Sequence, residues 1–564
     1  MRKTVGLGIQ DFENLIDDDV FYIDKTRFIS EWWNSKDNVT LITRPRRFGK
    51  TLMLSTVEKF FSVRQENSRK LFNGLQVSEE PETMKECGQW PVLFISFANV
   101  KSMNFKSALK QFNFIFWDIV TNLSFLKESL DEEDLKVYKS ISPDMNSELA
   151  SNCIGAFCKW LSKFYGKKVI ILLDEYDTPM QEAYVSGYWN EIVGFMRNIF
   201  NGAFKTNPYL HKALLTGITR VSRESLFSDL NNINVVTSSS EEYSDCFGFT
   251  EKEVFNALDT YEMSSEKNDV KKWYDGFKFG KRDGIYNPWS IISFLKKKKY
   301  EPYWANTSSN SLISKLVREG NAEIKQSFER LLRGECISTQ IDEQLVYGEM
   351  QDNETAVWSL LQATGYLKIA DISKDGFKDV YELKLTNFEI LRIFGKMVLQ
   401  WFSGEGSTLY NEFVKSLLKA ETRGINKFLN KFLLKTCSYF DGSKNASTAN
   451  PERFYHGLVL GLMIDLDSKY ILKSNRESGY GRYDIMLIPK DINKDIGIII
   501  EFKVLDEEDD EKRLEDTAES ALKQIEQRHY DEELLTAGVP AERIFKYGFA
   551  FSGKEALVLQ SKRV

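Results

Sequence analysis

The sequence predicts an α/β protein whose N-terminal part is a parallel sheet flanked by helices. Short apolar runs at 39–43, 91–97, 168–173 and 212–217 alternate with longer segments of helical sequence. Strands that alternate with helices build parallel sheets with helices on their faces. The run before Asp174 is apolar throughout, as expected of a central strand that is buried on both sides.

Length and composition limit the number of domains and the class of protein. A chain of 564 residues is too long for one core, so about three or four domains are expected. Hydrophobic residues make up 42% and aromatic residues 13%, which excludes a disordered chain. The net charge of −7 excludes a uniformly basic nucleic-acid coat, so DNA contacts must come from local patches.

Cysteine and hydropathy patterns indicate a cytoplasmic protein with no membrane segment. The six cysteines are scattered and complete no zinc site, which favours reduced core thiols. No uninterrupted apolar run approaches the roughly 20 residues of a membrane span. The N-terminus also lacks the apolar region of a signal peptide.

The first strand is followed by a tight basic turn and a helix, an order typical of phosphate binding. Backbone N–H groups at a helix start, together with the helix dipole, favour the negative charge of phosphates. Lys50 is expected to reach the β- and γ-phosphates, and the Thr51 hydroxyl to hold Mg²⁺. The residues predicted to form this phosphate site are Arg44, Arg46, Arg47, Phe48, Gly49, Lys50, Thr51 and Leu52.

This turn departs from the general pattern G-x-x-x-x-G-K-[ST]. Arg44 replaces the first glycine, and Pro45 stiffens the loop. An ordinary strand-turn-helix with a solvated lysine is the alternative to phosphate binding.

Two carboxylates end the apolar run 168–173, where open α/β sheets bind ligands. Asp174 is predicted to hold Mg²⁺, and Glu175 to orient the attacking water. A buried strand followed by a solvated acidic turn is the alternative interpretation.

The strand that ends at Thr216 is followed by polar residues and two arginines. Arg220 or Arg223 is predicted to sense the γ-phosphate or to stabilise transition-state charge. A helix cap with surface arginines would explain the same pattern.

The middle of the chain carries fewer chemical signals. Thr250 and Glu253 have the spacing of a capping box and predict a helical lid. Residues 358–369 and 380–385 suggest a helix followed by strands, as in a small winged-helix unit. We therefore predict domains at 1–245, 246–345, 346–440 and 441–564.

A second centre of chemistry lies near the C-terminus. Residues 481–488 and 497–504 read as two strands of a hairpin. Glu501 and Lys503 share one face of their strand, and Asp484 can come alongside from its neighbour. Asp484 and Glu501 are predicted to hold Mg²⁺, with Lys503 placing a water or neutralising charge.

Residues 4–307 resemble the AAA-ATPase-like family of prokaryotic P-loop proteins, which implies ATP as ligand. In that family the arginine-proline form of the phosphate loop is usual, and a C-terminal nuclease-like module is frequent. The resemblance rests on the segments YIDKT (22–26), TRPRRFGKT (43–51), LDEYDTP (173–179), TGITR (216–220), WYDGF (273–277) and YNPWS (286–290).

The C-terminal pattern resembles the PD-(D/E)XK nuclease superfamily. Its D…E-x-K core matches Asp484 and Glu501-Phe502-Lys503. The resemblance implies a restriction-endonuclease-like α/β fold, an acidic residue from the preceding helix at Glu452, and an active-site glutamine at Gln524. It also implies Mg²⁺, or Mn²⁺ in its place, as the metal.

These observations together predict an ATPase joined to a metal-dependent nuclease that cleaves DNA under nucleotide control. The alternatives are a nucleotide-switched module with a non-catalytic nuclease fold that binds nucleic acid or protein, and an ATPase with no nucleic-acid role. The sequence leaves DNA versus RNA and the oligomeric state open, and a homo-oligomer is compatible with it.

Overall fold

The computed structural model of the chain divides it into two compact units. Unit 1 contains Met1–Leu312 with Ser338–Glu389, and unit 2 contains Ile313–Ile337 with Ile390–Val564. The structure describes residues 2–220, 230–304, 322–332, 334–342, 353–375, 378–401, 406–440, 459, 463, 466, 469–478, 481–505, 513–552 and 555–561. The four predicted domain ranges stay predictions.

The main sheet of unit 1 is parallel, which confirms the predicted fold class. Its strands are β1 (Val39–Thr43), β2 (Val92–Ser96), β3 (Val169–Asp174), β4 (Leu210–Gly217) and β5 (Ile233–Val236). Their order in the sheet is β2-β3-β4-β1-β5, and every recorded pairing is parallel. The sequence analysis did not identify β5, whose four residues are too few to show a period.

The register of this sheet brings the carboxyl ends of its strands to one edge. Thr43 lies opposite Gly217, and Ser96 lies opposite Asp174. Loops that leave these strand ends therefore emerge close together, as in other open α/β sheets.

Helices surround this sheet because their apolar residues recur at helical spacing. Helix Lys50–Phe61 directs Leu54, Val57 and Phe60 into a core that also contains Leu172. The helices of this part are Phe12–Asp17, Arg27–Asn34, Lys50–Phe61, Ser68–Leu71, Pro81–Met84, Phe105–Asn122, Glu132–Ser140, Ser147–Tyr165, Thr178–Ser186 and Trp189–Phe200.

Residues 249–297 combine three helices with a small sheet that the sequence analysis did not predict. The helices Glu251–Thr260, Lys267–Tyr274 and Pro288–Lys297 accompany strands β6 (Phe249–Thr250), β7 (Asp275–Phe279) and β8 (Arg282–Tyr286), ordered β6-β8-β7. The predicted capping box is confirmed, because Thr250 and Glu253 exchange side-chain and backbone hydrogen bonds. The sheet was missed because its strands are short and follow turn residues.

A helix followed by two strands occurs in the last part of unit 1 in the predicted order, but the first strand begins at Leu367, within the segment 358–369 that was expected to be helical. Helix Glu354–Ala363 precedes the antiparallel pair β10 (Leu367–Asp375) and β11 (Lys378–Leu385), and β9 (Ile337–Thr339) is the third strand of their sheet. Among the described residues, no helix is both long and apolar enough to cross a membrane.

Unit 2 is built around a mixed five-stranded sheet. Its strands are β12 (Tyr470–Ser478), β13 (Gly481–Pro489), β14 (Gly497–Val504), β15 (Ile544–Ser552) and β16 (Glu555–Gln560), in that order. Only β14 and β15 pair in parallel, and the predicted β13–β14 hairpin is confirmed. Its helices are Ala322–Leu332, Gly406–Leu418, Thr422–Phe440, Leu514–Gln527 and Glu532–Thr536. Helix Phe388–Trp401 has its first two residues in unit 1 and the rest in unit 2.

Helix Leu514–Gln527 approaches the sheet closely at one glycine. A Cβ on Gly548 in β15 would lie 2.2 Å from the Ala518 carbonyl oxygen. A glycine is therefore required at this crossing, and the close approach brings the helix beside β14 and β15.

Glu389 is a buried carboxylate at the end of unit 1. It accepts hydrogen bonds from the Trp304 backbone N–H at 2.7 Å and from the Ser290 hydroxyl at 2.8 Å. Burial raises the pKa of Glu389 to about 7 against these opposing bonds, and the phenols of Tyr274 and Tyr303 face it.

We predict that Glu389 makes unit 1 less stable as the pH rises. Because its pKa is higher in the folded state than in the unfolded state, folding takes up a proton between about pH 4.5 and 7. Stability is therefore lost as the pH rises through this window, by on the order of 3 kcal/mol. The free energy of unfolding, measured with denaturant at pH 5 to 8, should fall more steeply with pH for the wild type than for Glu389→Gln. Parallel pH profiles of the two proteins would contradict the prediction.

Candidate functional site

The loop between β1 and helix Lys50–Phe61 has the backbone that phosphate binding needs. Gly49 is the residue before the helix and has a left-handed backbone with φ of 79°. A Cβ there would meet no atom within 4 Å, so glycine is required by conformation and not by space. Arg47 also has a positive φ, of 66°, which turns the chain sharply at the loop tip.

A cavity of about 570 Å³ opens beside this loop. It brings together Arg46, Lys50, Thr51 and Glu175, four of the residues predicted from the sequence. Further parts of the wall come from the predicted loop residues 47–49 and Leu52, from 6–10 and 20–23 near the N-terminus, and from Trp289. Such a volume lies in the range of small-molecule sites.

Lys50 is buried and folded back onto its own loop. Its ammonium donates to the backbone carbonyls of Arg44 and Pro45, both at 2.9 Å. Burial lowers the pKa of Lys50, and the nearby carboxylates Glu175 and Asp174 oppose that change. The lysine is thus held within the loop by two bonds that a phosphate oxygen can replace.

Asp174 joins three segments at the carboxyl edge of the sheet. Its carboxylate accepts from the Thr51 hydroxyl at 2.8 Å and from the Thr216 hydroxyl at 2.7 Å. Burial raises the pKa of Asp174, while the two hydroxyl bonds partly offset that rise. Thr51 and Asp174 together offer the hard oxygen ligands that Mg²⁺ prefers, so they fit the predicted ion.

Glu175 lies on the cavity wall in a left-handed backbone with φ of 50°. Its carboxylate accepts from the Thr178 hydroxyl at 2.9 Å. Non-glycine residues with positive φ are uncommon and are often found at functional sites, because surrounding structure must hold them there.

The sequence predicts Arg44 at the phosphate site, but its side chain does not line the cavity. Its guanidinium is buried and donates to the carbonyls of Thr43 at 2.9 Å and Thr237 at 2.7 Å. It also lies 4.6 Å from the ring centre of Phe279, and burial lowers its pKa to about 10. Its hydrogen-bond partners are thus backbone carbonyls at the ends of β1 and β5.

Two further loop side chains have protein partners. Phe48 is buried in a cluster with Phe277, Phe279 and Ile285. The guanidinium of Arg47 lies 4.7 Å from the ring centre of Trp289. Phe48 therefore contributes to the site through its backbone.

Asp177 is a site residue to which the sequence analysis gave no role. Its carboxylate accepts from the N–H groups of Ile218 and Thr219, at 3.0 and 2.9 Å, and from the Thr219 hydroxyl at 2.8 Å. It is fully buried, and burial raises its pKa. A carboxylate only three positions after Asp174 was the available signal, but sequence alone could not show its contact with the loop after β4.

That loop leads to Arg220, which is half-buried. Asp177 fixes the two residues immediately before Arg220 and so positions the chain at the strand end. The alternative sensor Arg223 lies outside the described residues, so the choice between the two arginines stays a prediction.

The predicted C-terminal residues converge at β14. The Asp484 carboxylate accepts the Phe502 N–H at 2.8 Å, and Glu501 is buried and accepts from the Gln524 amide. The Lys503 ammonium donates to Ser520 at 3.1 Å. Helix Leu514–Gln527 thus supplies a partner to both members of the Glu-x-Lys pair.

The metal at this second site has two described carboxylates available. Asp484 and Glu501 offer oxygen ligands, which fit Mg²⁺ or Mn²⁺ in chemistry. The predicted third acid, Glu452, lies outside the described residues. Within the described ranges, no group of three or more His, Cys, Asp or Glu side chains is placed to hold a metal.

Comparisons with known proteins agree with both predicted domains. Residues 6–227 match the family model of predicted AAA-ATPases, termed AAA-ATPase-like. Residues 450–561 match the model of the PD-(D/E)XK nuclease superfamily. The chain therefore joins an AAA-ATPase-like domain to a C-terminal domain of the PD-(D/E)XK nuclease superfamily, as the sequence predicts.

One curated relative covers nearly the full length of the chain. The "Uncharacterized protein in vnfD 5'region" of Azotobacter chroococcum mcd 1 is 24% identical over 550 residues, which is 96% of this chain and 95% of that protein. Among solved structures, the ORC2 protein of Aeropyrum pernix in ADPNP–ADP complexes aligns with 68% of this chain and 93% of its own. Its identity is 10% and its TM-score 0.23, too low to carry an argument.

We predict that two arginines of the loop have different roles. Arg44 stabilises the fold, and Arg46 contributes to nucleotide binding. Arg44→Met should lower the free energy of unfolding by about 2–3 kcal/mol, because the buried carbonyls of Thr43 and Thr237 lose a charged donor. Arg46 lines the cavity, so Arg46→Met should change stability by less than about 0.5 kcal/mol and weaken nucleotide binding about tenfold. Denaturant unfolding and titration with a fluorescent ATP analogue test both, and equal stability losses would contradict the assignment.

Proposed function

We propose that the N-terminal domain binds ATP with Mg²⁺ and hydrolyses it. The observation that carries this proposal is the meeting of Thr51 and Asp174, whose side chains come from two distant segments and form a 2.8 Å hydrogen bond. Mg²⁺ held between these oxygens would neutralise charge that develops on the β- and γ-phosphates.

Other residues of the cavity have distinct tasks in this proposal. Lys50 exchanges its bonds with the Arg44 and Pro45 carbonyls for phosphate oxygens. The first N–H groups of helix Lys50–Phe61 also face the phosphates. Glu175 orients the attacking water, while Arg46 and Arg220 contact the transferred phosphate.

We propose that the C-terminal domain cleaves DNA with a divalent metal, under control of the nucleotide. A water oxygen attacks phosphorus, the bond to one ester oxygen breaks, and that oxygen takes up a proton. Asp484 and Glu501, with Glu452, hold the metal, which would lower the pKa of a bound water. Gln524 positions Glu501 through its amide, and Lys503 stabilises the developing negative charge.

A cytoplasmic location is part of the proposal. Among the described cysteines, Cys87, Cys153, Cys158, Cys246 and Cys336 are free thiols. Burial raises the pKa values of the Cys153 and Cys158 thiols to about 12, which makes them unreactive. Free buried thiols are typical of a reducing compartment.

One observation favours the alternative of a nucleotide-switched binding protein. The Lys503 ammonium is hydrogen-bonded to the Ser520 hydroxyl at 3.1 Å, so the protein itself already engages this lysine. In that case the C-terminal fold would bind nucleic acid or protein without cleaving it.

We expect Lys50→Ala and Thr51→Ala to abolish ATP hydrolysis. Loss of the ammonium or of the magnesium ligand removes charge stabilisation that is worth about 100-fold or more in rate. Phosphate release by the full chain with ATP and Mg²⁺ measures this, with Lys70→Ala, an exposed lysine outside the cavity, as control. Unchanged hydrolysis in Lys50→Ala would remove the phosphate loop from the mechanism.

We expect Glu501→Gln and Lys503→Ala each to lower DNA cleavage by about 100-fold or more. The assay uses plasmid and single-stranded DNA with Mg²⁺ or Mn²⁺, with and without ATP. Lys523→Ala is the matched control, because Lys523 is exposed on the helix that carries Gln524.

A wild-type chain that cuts neither DNA under any of these conditions would reject the nuclease proposal. Filter binding across a salt series would then separate the alternatives, because phosphate contacts give a steep dependence on salt. Salt-dependent retention of DNA supports the switched binder, and absence of retention supports an ATPase without a nucleic-acid role.

A further inference from the structure

The phosphate loop is attached to the rest of unit 1 through the carbonyl oxygen of Arg46. This oxygen accepts from the Asn287 side-chain amide at 3.1 Å and from the Trp304 indole N–H at 3.0 Å. The loop is also held next to this point, since a Cβ on Gly365 would lie 2.8 Å from the Pro45 ring. The middle of the loop is thus held by residues that follow it by more than 200 positions.

Both donors are themselves fixed in place. Asn287 caps helix Pro288–Lys297, because its side-chain oxygen accepts from the N–H groups of Trp289 and Ser290, at 2.9 and 3.3 Å. The backbone N–H of Trp304 donates to Glu389 at 2.7 Å. Ser290 donates its hydroxyl to the same carboxylate at 2.8 Å. Trp304 and Ser290, whose backbone N–H is capped by Asn287, therefore share one buried acceptor, Glu389.

Glu389 lies at the C-terminal boundary of unit 1, which contains the candidate ATPase site. It is the last residue of unit 1, and Ile390 is the first residue of the following part of unit 2. A continuous set of hydrogen bonds accordingly runs from the Arg46 carbonyl, through Asn287 and Trp304, to this exit point. None of Asn287, Trp304 and Glu389 was assigned a functional role from the sequence.

Phosphate binding must disturb the loop end of this set. Lys50 donates to the carbonyls of Arg44 and Pro45, directly before Arg46. When Lys50 turns to a phosphate, both carbonyls lose their donor, and buried carbonyls without a donor are costly. The loop backbone must then rearrange at the residues adjacent to the Arg46 carbonyl.

We propose that Asn287 and Trp304 are positioning residues that transmit the nucleotide state of the phosphate loop to Glu389, at the exit from the ATPase unit. The inference rests on the proposed nucleotide binding and adds to it the route by which the site communicates.

The test is amide hydrogen exchange of the full chain, with and without saturating non-hydrolysable ATP analogue and Mg²⁺. Nucleotide should change exchange in the peptide 388–394 of the wild type by at least about threefold. Asn287→Asp keeps the helix cap but turns an acceptor towards the Arg46 carbonyl. Trp304→Phe removes the indole N–H and keeps an aromatic ring.

Both variants should lose the exchange response at saturation, and nucleotide affinity should fall about fivefold. Trp160→Phe is the matched control, since Trp160 is equally buried in helix Ser147–Tyr165, outside the cavity. Glu389→Ala should also lose the response, whereas Glu389→Gln keeps an acceptor for Trp304 and should retain it.

An unchanged response in Asn287→Asp and Trp304→Phe, or in Glu389→Ala, would overturn the inference. So would a wild type that binds the analogue, by direct titration, without any response at 388–394. A wild type that does not bind the analogue would overturn the proposed nucleotide site and this inference together, so the two failures are distinguishable.

Discussion

The nucleotide site depends on one buried carboxylate. Asp174 ends the buried strand β3 and accepts hydroxyl bonds from Thr51, at the start of the helix after β1, and from Thr216 in β4. A buried carboxylate is unfavourable unless it is hydrogen-bonded, so this arrangement persists only with both hydroxyls in place. The same bonds set the position of the phosphate loop relative to strand β3. The roles proposed for the other residues of the cavity depend on that position.

The loop of this protein uses protein contacts where other phosphate loops use glycine. Arg44, in place of the usual first glycine, binds the carbonyls of Thr43 and Thr237, and Phe48 packs in an aromatic cluster. These contacts of Arg44 and Phe48 with residues outside the loop fix the curvature of the loop. The loop is therefore bonded to residues within 237–304, and a rearrangement of the loop on phosphate binding would also affect those residues. This tie is the physical basis of the proposed link to Glu389.

The two candidate sites have a common construction. In each one a carboxylate lies on a strand, and an adjacent element holds it by a side-chain donor: Thr51 for Asp174, and Gln524 for Glu501. Both strands are almost wholly buried, so the two carboxylates are largely shielded from water. Burial also explains why the pKa of Asp174 is raised in the described state. A bound cation would reverse that change.

The sequence by itself determined the parallel sheet of unit 1, the β13–β14 hairpin, and the segments that supply Lys50, Thr51, Asp174 and the Asp484–Glu501 pair. It could do so because hydrophobic periodicity and motif spacing are local properties of the chain. Only the tertiary structure decided where Arg44 points, what Asp177 holds, and that Asn287 and Trp304 meet at the Arg46 carbonyl. Those outcomes depend on contacts between residues far apart in sequence. Strand β5 has only four residues, and β7 and β8 mix glycine and charged residues with apolar ones, so none of them forms an apolar run that sequence analysis could identify.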